Sequence, residues 1–327
     1  MAKKRILSGM RPTGPLHLGN LHGALANWKK MQEDYECFFF IADWHALTSD
    51  YDMTAPIQDY IVDIFIDWLS VGLSPEKCTM FVQSHIKEHA ELFLLLSMIT
   101  PLPWLERNPT YKEQIAQLKN KDLSTFGFLG YPVLQAADII IYKANGVPVG
   151  IDQAPHVELT REIARRFNHF YGDIFPIPET ILTKTPKILG IDRRKMSKSY
   201  DNAIFLSDSP EEVRNKVSQM ITDPQRARRA DPGNPDVCNV FSFHRMYSDR
   251  ETVERVDREC RGAEIGCVEC KKMMAENLIK ALEPIHEQRA HYEAHPETVR
   301  EIIEDGDQAA RTVARHTMEQ VRAAVKI

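Results

Sequence analysis

The sequence predicts a doubly wound α/β fold, a parallel sheet with helices on both faces, followed by a C-terminal all-helical domain. Three observations carry this. Across residues 1–150, short apolar runs alternate with amphipathic stripes of helical period. A Gly/Pro-rich turn joins the first apolar run to the first helical stripe, at the rim where such sheets bind ligands. Beyond about residue 208 strand signals nearly vanish, and stripes rich in Glu, Arg, Lys and Ala take over.

Taken in order, 5–8 reads as a strand. The stripe Leu18, Leu21, Ala24, Leu25, Trp28 and Met31 makes a helix from 17 to about 33. The run 36–42 is a buried strand, 50–73 has helical periodicity, 79–83 is a strand and 90–96 a helical stripe. Residues 105–113 are polar and read as a loop or helix start. Tyr131 opens a helix, with Pro132 suited to its first turn. Residues 147–150 end a further strand, and 156–167 form a helix. The hinge is expected near 197–208, dividing a domain of residues 1–200 from one of 201–327, where 275–292 and 297–325 are the clearest helices.

A hydrophobic content of 43% with 27% charged residues suits a folded globular chain, and no apolar run approaches the roughly 18 residues of a membrane span. A cytoplasmic protein is expected, because the basic N-terminus is followed by no signal-peptide core. The net charge of −5 excludes a generally basic nucleic-acid binder, so an RNA partner would need local basic patches.

The chemistry concentrates in a few stretches. In Ser8-Gly9-Met10-Arg11-Pro12-Thr13-Gly14-Pro15-Leu16-His17-Leu18-Gly19-Asn20, a turn delivers free backbone N–H groups at a helix N-terminus, which favours phosphate. His17 and Asn20, about one helical turn apart, face one ligand or act as caps. His45, after the second strand, is a structural or a catalytic histidine. Lys112 is a phosphate ligand or a solvated lysine. Tyr131, Gln135 and Asp138 share one helix face, and Asp138 beside an apolar run needs a partner if buried. Gly150-Ile151-Asp152-Gln153 ends another strand at the same rim. Arg226, Arg228 and Arg229 form a compact basic run that contacts RNA or is simply solvated. Cys238, Cys260, Cys267 and Cys270 are spaced C-x21-C-x6-C-x2-C. Such clustering points to a metal centre rather than disulfides; with only one short-spaced pair the residues leave zinc, an iron–sulfur cube and no metal open.

Two stretches, the first of these and one further on, carry a family resemblance. Pro-Thr-Gly-Pro-Leu-His-Leu-Gly-Asn resembles the HIGH signature of class I aminoacyl-tRNA synthetases, and Lys195-Met196-Ser197-Lys198-Ser199 spells the KMSKS signature. The resemblance is closest to the tryptophanyl-tRNA synthetases, through Ser8–Gly14 and the stretches 131–139, 147–153, 156–161 and 220–223. It implies a ligase that converts L-tryptophan and ATP, with Mg2+, to tryptophanyl-adenylate and pyrophosphate, then charges tRNA(Trp). It implies that His17, Asn20, Lys195, Lys198 and Lys112 act on phosphates. It further implies that Arg11, Pro12, Thr13, Gly19, Gly150, Ile151, Asp152, Ile188, Met196, Ser197 and Ser199 line ATP. Asp138 would accept the indole N–H, with Tyr131, Gln135 and Leu7 around the ring. A hydrogen-bonding site of this kind rejects an analogue lacking the donor. The resemblance also implies a homodimer, an anticodon-binding helical domain and, by the subset with similar cysteine spacing, a 4Fe-4S cluster. Gln135 suits a tyrosine pocket too, which makes a tyrosyl-tRNA synthetase the nearest alternative. A non-catalytic RNA-binding redox sensor is the alternative from another class.

Overall fold

Five parallel strands lie in the order β3-β2-β1-β4-β5. They are β1 (Arg5–Met10), β2 (Glu36–Ile41), β3 (Cys78–Val82), β4 (Gly146–Val149) and β5 (Glu179–Leu182). The computed structural model describes residues 3–109, 111–112, 122–183 and 187–327, with the Asp152 side chain outside the described set. The chain builds outward from β1 to β3, then crosses back to add β4 on the other side of β1. The carboxyl ends of β1 and β4 therefore flank the point where strand order reverses, the usual ligand crevice of such sheets.

Strand alternation divides the core in two. On β2, Cys37, Phe39 and Ile41 face one layer while Phe38 and Phe40 face the other. The first layer is closed by α1, which covers 18–34 with a π turn at Leu21–Leu25, and by α3 (Ile57–Ser70). Trp28 of α1 stacks on Phe39 at 4.4 Å between centroids and meets Trp68 of α3 edge-on at 5.3 Å. The second layer holds α4 (Glu88–Ser97), α6 (Phe126–Ile141) and α7 (Ala154–Tyr171).

Two local readings differ from expectation, and two elements are additions. Residues 43–50 form a helix, α2 (Asp43–Asp50), because Asp43 Oδ1 accepts the N–H groups of Trp44 and Ser84, each at 3.0 Å, and fixes the turn after β2. The expected helix over 50–73 starts only after Pro56, which caps α3. The helix expected to open at Tyr131 begins at Phe126, capped by the Thr125 hydroxyl, so Pro132 lies inside α6 rather than in its first turn. The short strand β5 is an addition: its side chains are half-buried or exposed, so its pattern is weak. Of the polar stretch 105–113, Leu105 and Glu106 end α5 (Leu102–Glu106), while Thr110 and Glu113 lie outside the described residues.

From 208 onward the described residues form helices and no strands: α8 (Pro210–Gln219), α9 (Asn239–Tyr247), α10 (Arg250–Arg261), α11 (Cys267–Ala294) and α12 (Pro296–Val325). Met274, Leu278 and Leu282 of α11 join the same apolar layer as Trp28 and Ile64. Arg289 of α11 reaches back to α3, pairing with Asp67 and, at 2.7 Å, with Asp63. The last helix returns to the sheet and lies along the free edge of β3. Asp307 Oδ1 accepts the Val82 N–H at 3.0 Å, and its Oδ2 stands 2.5 Å from His85 Nδ1. Gly306 permits this approach: a Cβ there would stand 1.7 Å from the Met80 carbonyl oxygen.

Candidate active site

The turn after β1 and the lysine-rich segment meet. Leu18 N–H donates to Ile204 O at 3.0 Å and Leu206 N–H to Leu16 O at 2.9 Å, so 204–206 is stitched alongside 16–18. Across this seam Lys198 Nζ donates to the Gly14 carbonyl at 2.9 Å. Gly14 has φ +123°, a region that favours glycine, and its Cα side is filled by the Lys198 stem. Burial, then the Arg11 charge, pushes the Lys198 ammonium down to about 8.

His17 caps the N-terminus of α1. Asn20 Oδ1 accepts the His17 N–H at 3.0 Å and squares off the first turn. Gly19 leaves room for the imidazole; a Cβ would stand 2.8 Å from His17 Cε1. Burial, with Lys198 and Lys195 nearby, pushes His17 down to about 4, so the ring is neutral at pH 7. Its Nδ1 is buried and has no hydrogen-bond partner among the described residues, which suits a ring waiting for an oxygen acceptor or donor.

The lysines ride on a hairpin. Gly190 N–H donates to Arg194 O at 2.8 Å and Met196 N–H to Ile188 O at 2.9 Å, while Ile188 and Met196 are buried. Asn202, 1% exposed, ties the end: Oδ1 accepts Ser197 N–H at 2.8 Å and Nδ2 donates to Asp192 at 2.7 Å. Lys195 and Ser199 are exposed. Arg11, also exposed, donates to Ser49 of α2 at 3.3 Å. Pro12 is buried and Thr13 exposed in a tight turn closed by Thr13 N–H to Arg11 O. Gly150 precedes a short 3-10 turn, Ile151–Gln153, with Ile151 exposed.

Asp138 lies on the same rim, fully buried. Its oxygens receive His45 Nε2 at 2.7 Å, His89 Nδ1 at 2.6 Å, and Gln83 Nε2 at 2.8 and 2.9 Å. Burial alone would raise this carboxyl, but the hydrogen bonds from His45 and His89 overcome it and bring it to about 2. His89 is held in turn by Tyr142 at 2.7 Å. Tyr131 packs edge-on to His45 at 6.4 Å, and its hydroxyl meets His156 at 2.8 Å. Burial pushes that phenol up to about 12 while the Arg11 charge pulls the other way. Gln135 is half-buried, and Leu7 lies in the apolar layer under the cluster.

Lys112 is exposed; its described contact is the backbone bond to Asn108 O, and no described interaction joins it to His17 or Lys198. Arg228 and Arg229 are exposed beside an open hollow of about 590 Å3 that also touches Cys267 and Lys272. Arg226 turns inward. Its guanidinium donates to Ile265 O and Arg229 O, each at 2.8 Å, and reaches Cys260 and Cys267 Sγ at 3.8 and 3.9 Å. The four thiols share one neighbourhood. Burial, then the three other cysteines, pushes Cys270 up to about 12. Gly233 accepts the Cys260 side chain closely; a Cβ there would stand 2.6 Å from its sulfur. Among the described residues no three ligating side chains stand close enough for a single metal ion.

Sequence reasoning missed Gln83, His89 and Asn239, whose partners are distant in the chain, and Asn202, whose partners lie within its own hairpin. Gln83 carried a usable signal, a polar residue directly after an apolar strand at its rim.

Residues 2–283 match the family model described as tRNA synthetases class I (W and Y). The chain is 54% identical over 325 residues to a tryptophan–tRNA ligase of Thermotoga maritima, covering 99% of both. It is 46% identical to one of Aquifex aeolicus, covering 99% of this chain and 100% of that one. Tryptophanyl-tRNA synthetase of Campylobacter jejuni, solved with ADP and tryptophan, superposes with a TM-score of 0.92 at 32% identity, covering 99% and 100%. With its two lysine- and histidine-bearing segments joined at one rim, the chain belongs to the class I tRNA synthetases of the tryptophan and tyrosine group, among the tryptophan–tRNA ligases.

Proposed function

We propose that this chain is an ATP-dependent tryptophan–tRNA ligase. It activates L-tryptophan to tryptophanyl-adenylate, releasing pyrophosphate, and transfers the acyl group to tRNA(Trp). The observation that carries this reading is the Lys198–Gly14 bond beside a His17 Nδ1 that has no partner among the described residues. Adenylate formation asks for positioning and charge neutralisation around a triphosphate. His17, Asn20 and the α1 N-terminus hold the reacting phosphate; Lys195 and Lys198 take the pyrophosphate, with Lys112 reaching in from its exposed segment. Arg11, Pro12, Thr13, Gly19, Gly150, Ile151, Asp152, Ile188, Met196, Ser197 and Ser199 line the nucleotide. Mg2+ is held mainly by phosphates and water. Tryptophan-dependent ATP–pyrophosphate exchange tests the reading. Exchange driven by tyrosine instead would favour the alternative, and none with either amino acid would leave only a non-catalytic role.

Asp138 is the acceptor for the indole N–H, with Tyr131, Gln135 and Leu7 shaping the pocket. Its four acceptor positions are engaged, so indole displaces one donor. His45 is the candidate, because its side chain is 11% exposed while that of His89 is fully buried.

Residues 1–200 form the catalytic domain and 201–327 the anticodon-binding domain, where Arg226, Arg228 and Arg229 lie near the tRNA backbone. Arg228 and Arg229 border the open hollow and are the contact residues of that set; Arg226 supports them from beneath. Charge reversal at 228 and 229 should lower tRNA charging and spare exchange. Equal loss in both assays would remove the assignment.

Cys238, Cys260, Cys267 and Cys270 hold a 4Fe-4S cluster. The reading is supported by the cysteine spacing, with Cys267 and Cys270 as its one short-spaced pair, and by the shared surroundings of Cys238, Cys260 and Cys270. When bound, the cluster supplies a one-electron couple and a rigid cross-link. Colourless, iron-free protein from anaerobic purification would end this assignment.

The chain forms a homodimer. Exposed Leu94 and, directly after α4, Met98, with Leu102 and Phe126 on the adjoining α5 and α6, support an apolar face. A monomeric mass by light scattering would oppose it. A cytoplasmic location fits a tRNA-charging enzyme, and no described helix is long and apolar enough to cross a membrane. Fractionation that finds the protein at the membrane would contradict it.

A further inference from the structure

Helix α9 touches three functional regions at once. Cys238 is its N-cap residue. Six residues further on, His244 Nε2 stands 3.2 Å from the Cys270 carbonyl and 3.5 Å from its sulfur. Asn239 follows Cys238 directly, is 1% exposed, and donates Nδ2 to the Gly190 carbonyl at 2.7 Å. Gly190 lies at the turn of the hairpin that carries Lys195 and Lys198. At the far end, the Tyr247 hydroxyl stands 2.5 Å from His22 Nε2, and the two rings meet edge-on at 5.5 Å. His22 belongs to the π turn directly after Asn20.

We infer that α9 couples the four-cysteine centre to the nucleotide site, with Asn239 and Tyr247 as positioning residues for the two signature segments. The physical reason is a lack of slack. Gly190 is wedged: a Cβ would stand 2.3 Å from Asn202 Cγ, so the hairpin turn sits between Asn202 and Asn239. A buried carbonyl that loses its donor is costly, so the turn follows Asn239. Asn239 in turn follows Cys238, its covalent neighbour. A π turn is a local irregularity often found at functional sites, and Tyr247 pins this one. Both links reach the segments that carry the phosphate-holding residues of the proposed synthetase reading, on which this inference rests.

The test uses the full chain, purified anaerobically, in two readouts. In tryptophan-dependent pyrophosphate exchange, Asn239→Asp and Tyr247→Phe should each raise KM for ATP by about fivefold, the factor of one neutral hydrogen bond. KM for tryptophan should stay put, and the melting curve should remain cooperative. In amide hydrogen exchange, residues 188–199 should exchange faster in Asn239→Asp, and also in the paired Cys267→Ser, Cys270→Ser variant, which touches neither signature. Wild-type KM for ATP in both single variants, or unchanged protection of 188–199 in the cysteine variant, would overturn the inference. A wild-type chain without exchange activity would instead defeat the synthetase reading, and the hydrogen-exchange readout would still decide the coupling.

Discussion

Lys198 Nζ donates to the carbonyl oxygen of Gly14, a residue 184 positions earlier, at 2.9 Å. This bond parks a partly buried ammonium on the backbone of the turn that approaches the nucleotide. The ammonium must leave that carbonyl or share its protons when a phosphate arrives. A lysine lowered to about 8 is charged below that pH and neutral above it. Free-enzyme kcat/KM for ATP should therefore fall as pH rises through about 8. Lys198→Arg should remove this alkaline limb, and Lys198→Ala should lower the rate of adenylate formation by about 10²–10³. A flat profile from pH 7 to 10 in the wild type would contradict the assignment.

Asp138→Asn should raise KM for tryptophan strongly and leave KM for ATP nearly unchanged. Unchanged tryptophan kcat/KM would remove Asp138 from the pocket. The same change leaves an amide facing two histidines and Gln83, and should cost about 2–4 kcal/mol in denaturant unfolding. The sign with pH follows from the lowered carboxyl. Its contribution is fully present above the ordinary value of 3.8 and is lost as pH falls from there toward about 2. The wild-type protein should lose this stability in acid, and Asp138→Asn should lack that component.

Gly306→Ala adds a methyl group where the Met80 carbonyl already stands. Elsewhere in a helix, Gly to Ala stabilises by up to about 1 kcal/mol. Here it should destabilise by about 2–3 kcal/mol, because α12 must lift from β3. Chemical unfolding would show this, and an unchanged or raised midpoint would refute the close approach.

The parts legible in the sequence are those with local signals. Phe38, Phe39 and Phe40 announced a strand buried on both faces. The Leu18-to-Met31 stripe announced the helix behind the turn. The two signature segments could be found from their letters alone. The pairing of Lys198 with Gly14 followed only from assuming that both serve one triphosphate. Other features depend on contacts between distant positions, which no periodicity reports. Thr125 as the true cap of α6 was hidden by the stronger punctuation of Pro132. Asp43 as the brace that makes 43–50 helical needs Ser84. The inward turn of Arg226 depends on Cys260 and Cys267, and Asn239 matters only because Gly190 arrives beside it.

The placement of α12 carries a consequence for biosynthesis. Strand β3 is an edge, and Asp307, which accepts the Val82 N–H, is made 225 residues after it. Until then the nascent chain exposes a row of unpaired amides and carbonyls, the kind of template on which chains aggregate. Truncation or slow translation ahead of α12 should therefore leave a sticky intermediate that calls for chaperones, even with the sheet and both signature segments already synthesised.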